Sequence, residues 1–249
     1  MNTQKTALIT GAAGGIGKAL VAAFVDRGYQ VLAMDCVSQP SGLECWQYLQ
    51  VDLQQLVVVP SYAAERLSAI SLLLEPVGLN VLINNAAVQV LGGVGSLSMA
   101  DWNQTLNVNL LAPFALVQGL LRPLETADGC VINVSSIHAR LTKPNFVAYA
   151  TSKAALSGMT RAMAVDLGGR VRVNAIEPAA IETDMLKAGF ASQPKQYAIL
   201  QGCHPQGRIG TPAEVAALAL SIACGDLRFL HGACIAIDGG ISGRLHDPA

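Results

Sequence analysis

Charge is scarce in this chain: Asp, Glu, Lys and Arg make up only 13% of its 249 residues, and the formal net charge is -1. No basic face is available for a nucleic-acid backbone and no polybasic run for an anionic lipid surface, so the expected partner is a small molecule. Long apolar runs are missing as well. The chain is 52% hydrophobic, but these residues lie in short segments, the longest candidate running from Val215 to Cys224. That is far below the ~20 residues of a membrane helix. The six cysteines, at 36, 45, 130, 203, 224 and 234, form no C-x-x-C pair and no metal-ligand spacing. No metal site is expected, and most of these thiols sit in apolar runs, which reads as reduced and buried. Met1 to Lys5 leads straight into an apolar segment without the pattern of an export signal, so a cytoplasmic location is expected. No internal repeat or low-complexity linker divides the chain, and its length suits one domain over 1–249.

What the chain does have is alternation. Short apolar runs at 6–10, 30–35, 46–51, 81–84, 131–134, 172–176 and 233–238 read as strands. Between them come helical spacings: Ile16, Leu20 and Phe24; Leu67, Ile70 and Leu74, ending near Pro76; a long stretch from Asp101 to Leu121, with Pro113 placed to kink it; and Val215, Leu218, Ala219 and Ile222. The expected fold is α/β: a single Rossmann-like, doubly wound domain whose mostly parallel seven-stranded sheet carries helices on both faces. Residues 187–207 show little periodicity, as in a mobile substrate lid or a passive surface excursion.

Three places in this frame carry chemistry. Gly11, Gly15 and Gly17 follow the first strand and open the first helix, where backbone N–H groups can approach a pyrophosphate that any side chain would block. Asp35 ends the second strand eighteen residues after Gly17. An acid at that distance accepts hydrogen bonds from an adenosine ribose and repels a 2′-phosphate. With no cation at Ala12, Ala13 or Cys36, NAD is favoured over NADP. Tyr149 and Lys153, four residues apart, share one helix face. An ammonium beside a phenol favours tyrosinate and brings an oxygen that ordinarily titrates near pH ~10 towards acid/base work at neutral pH. Ser136 follows the strand ending at Val134, which puts a hydroxyl, a phenol and an amine in one expected cleft.

With Ser136 thirteen residues before Tyr149, and with Thr10-Gly-x-x-x-Gly15-Ile16-Gly17 at the first turn, the chain resembles the short-chain dehydrogenase/reductase family, classical type, over nearly all of residues 5 to 240. The resemblance implies hydride transfer between a nicotinamide and a carbinol or carbonyl carbon of a small alcohol or ketone. Tyr149 would exchange the proton and Ser136 would hydrogen-bond the reacting oxygen. Lys153 would bind the nicotinamide ribose and lower the Tyr149 pKa, and Asn109 in Asn107-Val108-Asn109-Leu110 would position a relay water. It also implies adenine contacts at Asp52 and Leu53, carboxamide contacts at Ile181 and Thr183, and a homotetramer or homodimer. Asn84-Asn85-Ala86 matches the family's Asn-Asn-Ala, as bracing or as cofactor contact, and here Ala87 replaces the following Gly. Ala179 likewise stands where the family has a Gly after Pro178, a less comfortable residue if φ there is positive. His138 reads as a loop histidine giving shape or a hydrogen bond, or as a substrate contact; His204 lies in the presumed lid. Arg140 and Lys143 are solvent-facing cations or meet a charged substrate group. A second reading is a catalytically silent dinucleotide sensor on the same fold. A nucleotide-sugar epimerase shares Tyr-x-x-x-Lys but carries a longer C-terminal substrate domain.

Overall fold

The computed structural model describes residues 4–75 and 77–245. The order of elements is β1 (Thr6–Thr10), α1 (Gly15–Asp26), β2 (Gln30–Asp35), β3 (Gln47–Gln50), α2 (Leu53–Val58), α3 (Pro60–Leu74), β4 (Val81–Asn84), α4 (Met99–Leu106), a π-helical turn (Asn107–Leu111), α5 (Ala112–Gly119), α6 (Leu121–Thr126) and β5 (Cys130–Val134). Then follow a short 3-10 turn (Ile137–Ala139), α7 (Val147–Leu167), β6 (Arg172–Pro178), α8 (Asp184–Phe190), α9 (Pro194–Cys203), α10 (Pro212–Ala223), β7 (Cys234–Ile237) and a last 3-10 turn (Ile241–Gly243).

All seven strands enter one sheet, in the order β3-β2-β1-β4-β5-β6-β7. Every pair is parallel, not merely most of them. The two-residue period of the strands sorts their side chains between two cores. Leu8, Leu32, Leu82, Val131 and Val173 pack with residues of α2, α3, α5, α6 and α7. Ala7, Ile9, Val31, Ile83 and Ile132 pack on the other face with Leu20, Val21 and Phe24 of α1 and Val215, Ala219 and Ile222 of α10. Each fully buried Leu, Ile or Phe contributes about 1.5–3 kcal/mol relative to exposure. Because the chain runs outward through β2 and β3 and then returns to β4 on the far side of β1, a crevice opens beyond the carboxyl ends of β1 and β4.

Several elements differ from expectation. The stretch from Asp101 to Leu121 is not one helix: α4 starts at Met99 on a Ser98/Asp101 capping box and gives way to the π turn. Pro113, two residues into α5, has no N–H to give the carbonyl of Asn109, so the regular ladder cannot run through this point. The expected lid forms two exposed helices, α8 and α9, instead of an irregular loop. Buried Ile70 and Leu74 place α3 as their spacing implied, and Pro76 lies outside the described residues. All six cysteines are free, but only Cys130 is buried; Cys36 is exposed and the other four are half-buried. The apolar runs holding them end at the sheet's edges or in connecting loops, where cover is partial. Among the described residues no helix is long and apolar enough to cross a membrane.

Candidate active site

The turn after β1 is shaped by what it cannot hold. Gly11 has a φ of +65°, and a Cβ there would stand 2.8 Å from Ala86 Cα; one on Gly17 would stand 1.9 Å from the Gly11 carbonyl oxygen. A Cβ on Gly15 would meet Thr183 Cγ2 at 2.8 Å, so Thr183 lies directly against the turn. Helix α1 begins after Gly14, which offers no side-chain cap. Its first N–H groups therefore face the crevice without a side-chain acceptor, a cradle that suits a diphosphate. Ile16 turns its side chain towards the core beneath.

Asp35 stands beside this cradle. Its Oδ2 accepts from Ala13 N at 2.9 Å and its Oδ1 from Cys36 N at 2.8 Å, which ties the end of β2 to the glycine turn and fixes the carboxylate. Asp52 is the N-cap of α2, one oxygen accepting from Gln54 N at 2.8 Å and Gln55 N at 3.3 Å. Leu53 is 8% exposed with its side chain in the core, so only its main chain is left for an adenine. Asn85 Nδ2 donates to the Thr10 and Gly11 carbonyls at 2.9 and 3.1 Å, and Thr10 Oγ1 accepts from Asn85 N and Ala86 N, both at 3.0 Å. Asn84 Nδ2 donates to Asn133 Oδ1, and Asn133 Nδ2 to Thr160 Oγ1 on α7. The Asn-Asn pair thus braces β1, β4, β5 and α7 at their ends.

Ser136 follows β5 and is 6% exposed, its Oγ accepting from His138 N at 3.1 Å. Asn145, left-handed at φ 67°, turns the chain into α7 while its carbonyl accepts from Gly92 N at 2.8 Å. Tyr149 is half-buried. Lys153, one turn on and 2% exposed, donates from Nζ to the Val134 carbonyl at 2.8 Å and sits 5.7 Å from the centre of the Tyr149 ring. Burial pushes the Tyr149 phenol up, and hydrogen bonding from Ser136 works against that shift. Burial also brings the Lys153 amine down to about 8. Its folded value lies below the ordinary 10.5, so burying the charged form costs stability at neutral pH, a cost that fades as pH rises from about 8.

Asn109 is 1% exposed within the π turn. Its Oδ1 accepts from Val88 N at 2.8 Å, and its Nδ2 donates to the Val88 carbonyl at 2.9 Å and to Ser152 Oγ at 3.0 Å. Ser152 Oγ in turn donates to the Tyr149 carbonyl at 2.7 Å. The amide is therefore spent on bracing the loop at Val88 and α7.

The loop after β6 closes the crevice. Ile181 is 7% exposed and forms an isolated parallel bridge with Gly210, and Thr183 caps α8 by accepting from Leu186 N at 3.2 Å. Among described non-glycine residues only Asp128 and Asn145 have positive φ, so Ala179 carries no strain. His138 stacks on Phe146, ring centres 4.5 Å apart, and meets Tyr149 edge-on at 5.7 Å. Its Nδ1 contacts Thr142 Oγ1 at 3.2 Å, and burial with nearby Lys143 holds its pKa down to about 4, so it is neutral at working pH. Lys143 lies 4.6 Å above the Phe146 ring. His204 is 2% exposed and bonded through Nδ1 to the Leu200 carbonyl at 2.9 Å at the end of α9. Arg140 is half-exposed to solvent and at the same time pairs with the buried Glu177. Sequence reasoning missed Glu177, although a carboxylate inside an apolar strand was a visible signal.

Residues 11–242 match the profile of a family described as Enoyl-(Acyl carrier protein) reductase. The chain belongs to the short-chain dehydrogenase/reductase family of oxidoreductases. It is 35% identical to Protein FixR of Bradyrhizobium diazoefficiens, over 95% of this chain and 86% of that protein. It is 33% identical to D-threitol dehydrogenase of Mycolicibacterium smegmatis, over 95% and 92%. Its fold matches the ligand-free aldohexose dehydrogenase of Thermoplasma acidophilum with a TM-score of 0.89 at 28% identity, covering 99% of this chain and 97% of that one. Two further members of similar fold, both at TM-score 0.87, carry different coenzymes. A putative gluconate 5-dehydrogenase of Beutenbergia cavernae, at 28% identity over 98% of each chain, has NADP bound. A 4-hydroxyisoleucine dehydrogenase, at 26% identity over 97% of this chain and 100% of that one, has NADH.

Proposed function

We propose that this family member is an NAD-dependent dehydrogenase that interconverts a secondary alcohol and a ketone. The observation that carries the reading is the meeting of Ser136, Tyr149 and Lys153 at the end of β5, with the glycine turn two strands away across a braced crevice. A nicotinamide held in this crevice would supply hydride exchange with the carbinol carbon. Tyr149 takes the hydroxyl proton as the alcohol is oxidised and gives it back in reduction. Ser136 donates to the substrate oxygen and holds it at the phenol. Lys153, held at its stem by α7, contributes its amine to the ribose and to the electrostatics of the phenolate, and its charge is lost as pH rises through about 8. The Asn109 carbonyl holds the water that carries the proton out. Gly11, Gly15, Ile16 and Gly17 bind the diphosphate; Asp52, Leu53, Asn85, Ala86, Ile181 and Thr183 line the rest of the cofactor cleft.

The functional test is NADH formation by the purified protein with a panel of polyols, aldoses, hydroxy acids and 3-hydroxyacyl thioesters. Binding of NAD with no turnover on any of them would favour the sensor reading, which the complete residue set argues against. For the coenzyme, Asp35→Ala is expected to narrow the preference for NAD over NADP by about tenfold in kcat/KM, equal to ~1.4 kcal/mol. A native protein that already prefers NADP removes Asp35 from this role. The location we propose is the cytoplasm. We also propose a homotetramer or homodimer, supported by Leu111, Phe114 and Val165, which stand 43%, 46% and 86% exposed on the outer helices. Light scattering that returns a monomer mass overturns it.

A further inference from the structure

Glu177 is out of place by composition: a carboxylate 2% exposed near the end of β6, in a strand whose neighbouring positions are apolar. It is reached from two other elements. Ser157 of α7, one turn beyond Lys153, donates from Oγ to Glu177 Oε1 at 2.8 Å. Arg140 Nε lies 2.8 Å from Oε2, as an ion pair whose N–H is not aimed for a hydrogen bond. Ser157 Oγ is also 2.9 Å from Ser135 Oγ, and Ser135 Oγ donates to the Lys153 carbonyl at 3.0 Å.

Arg140 ends the turn that Ser136 begins. Within that turn Ala139 N donates to the Ser136 carbonyl at 2.9 Å and Arg140 N to the Ile137 carbonyl at 3.0 Å. These bonds shape the turn; its start is tied to β6 by Ser135 N, which donates to the Ile176 carbonyl at 2.8 Å, and its far end is tied there by the charged pair of Arg140 with Glu177. We propose that Glu177 is a positioning residue: by gripping Arg140 and Ser157 together, it holds the Ser136 turn against α7 and keeps the Ser136 hydroxyl beside the Tyr149 phenol. This inference rests on the roles proposed for Ser136 and Tyr149. Its test is read on the phenol without substrate, so failure to find a substrate leaves the test intact.

The readout is sensitive because Ser136 is the group that opposes the burial shift of Tyr149. The other polar groups near the phenol are Lys153 on α7, outside the turn, and His138, which belongs to the turn and shifts with it as a neutral ring. Around Glu177 the remaining titratable and charged groups are Cys234 of β7, Arg161 of α7, whose Nη1 is 3.5 Å from that sulfur, and Asp238 beyond β7, which feels Arg140.

The experiment is an ultraviolet difference titration of Tyr149, each variant measured against the same variant carrying Tyr149→Phe. Glu177→Gln keeps an acceptor for Ser157 and strands no charge, whereas Arg140→Met leaves a buried carboxylate alone. Lost positioning raises the phenol midpoint by about one unit in both, and Arg140→Lys returns it towards the native value. A merely structural pair lowers the melting temperature of Arg140→Met and leaves Glu177→Gln titrating as native. That native midpoint in Glu177→Gln overturns the proposal, and it decides the matter alone if Arg140→Met does not fold.

Discussion

Tyr149→Phe is expected to lower kcat by about 10²–10⁴-fold, the usual worth of a positioned acid/base group, while NAD binds within about a factor of two of native. The substitution is a clean one at this position. The ring keeps its edge-on contacts with His138, at 5.7 Å and 77°, and with Phe146, at 6.1 Å and 80°, so packing and the start of α7 are preserved. Only the oxygen goes, and with it the carrier of the substrate proton. The cofactor cradle at Gly11 to Gly17 belongs to other elements and is not disturbed. Stopped-flow NADH formation measures the first effect and calorimetric titration with NAD the second. The pH profile gives the sign independently: burial raises the phenol, so native alcohol oxidation should climb with pH as tyrosinate forms, and the Phe variant should lose that limb. Turnover within tenfold of native would remove Tyr149 from the chemistry.

Much of this arrangement was legible because parallel sheets buried on both faces write themselves as short apolar runs. Thr6–Thr10 and Val81–Asn84 are examples, buried along their whole length. The glycines were legible for a similar reason, since a missing side chain marks where backbones approach. Local spacing also put Tyr149 and Lys153 on one helix face. It did not reveal where the Lys153 amine would point, because the Val134 carbonyl that holds it is nineteen residues away in sequence. Nor does spacing contain the burial that raises the Tyr149 phenol, because pKa depends on cover and partners brought from elsewhere in the chain. The break at Asn107–Leu111 was half-visible in Pro113, which marks a disturbance without saying that it takes the form of a π turn. Helices α8 and α9 were invisible because they are exposed. Without a buried face, Pro194–Cys203 has no apolar stripe for periodicity to detect. Thr183 stands against Gly15 of the first turn, a contact between residues far apart in sequence that local spacing does not contain.

The same geometry makes Gly17→Ala the most disruptive single methyl in the cofactor cleft. Its Cβ would stand 1.9 Å from the Gly11 carbonyl oxygen and 2.8 Å from Ala12 Cα, backbone atoms that have no rotamer with which to yield. Gly11 is held in place, because its carbonyl accepts from Asn85 Nδ2 at 3.1 Å and its φ of +65° lies in the left-handed region that favours glycine. The start of α1 must therefore move, and the N–H groups that face the diphosphate move with it. Overpacking of this kind costs about 1–3 kcal/mol, a fall in melting temperature of roughly 2–12 °C for a chain of this size. NAD affinity should drop by about a hundredfold or more, since an ångström-scale misplacement is paid at every phosphate contact. Gly14→Ala supplies the contrast: Gly14 has ordinary extended backbone, φ -76° and ψ 168°, and its Cβ would be 3.4 Å from the Gly11 oxygen. It should melt within about 2 °C of native and bind NAD within a few-fold. Equal effects of the two substitutions would mean that the turn needs flexibility rather than close approach, and the diphosphate would then have to be held by some other part of the chain.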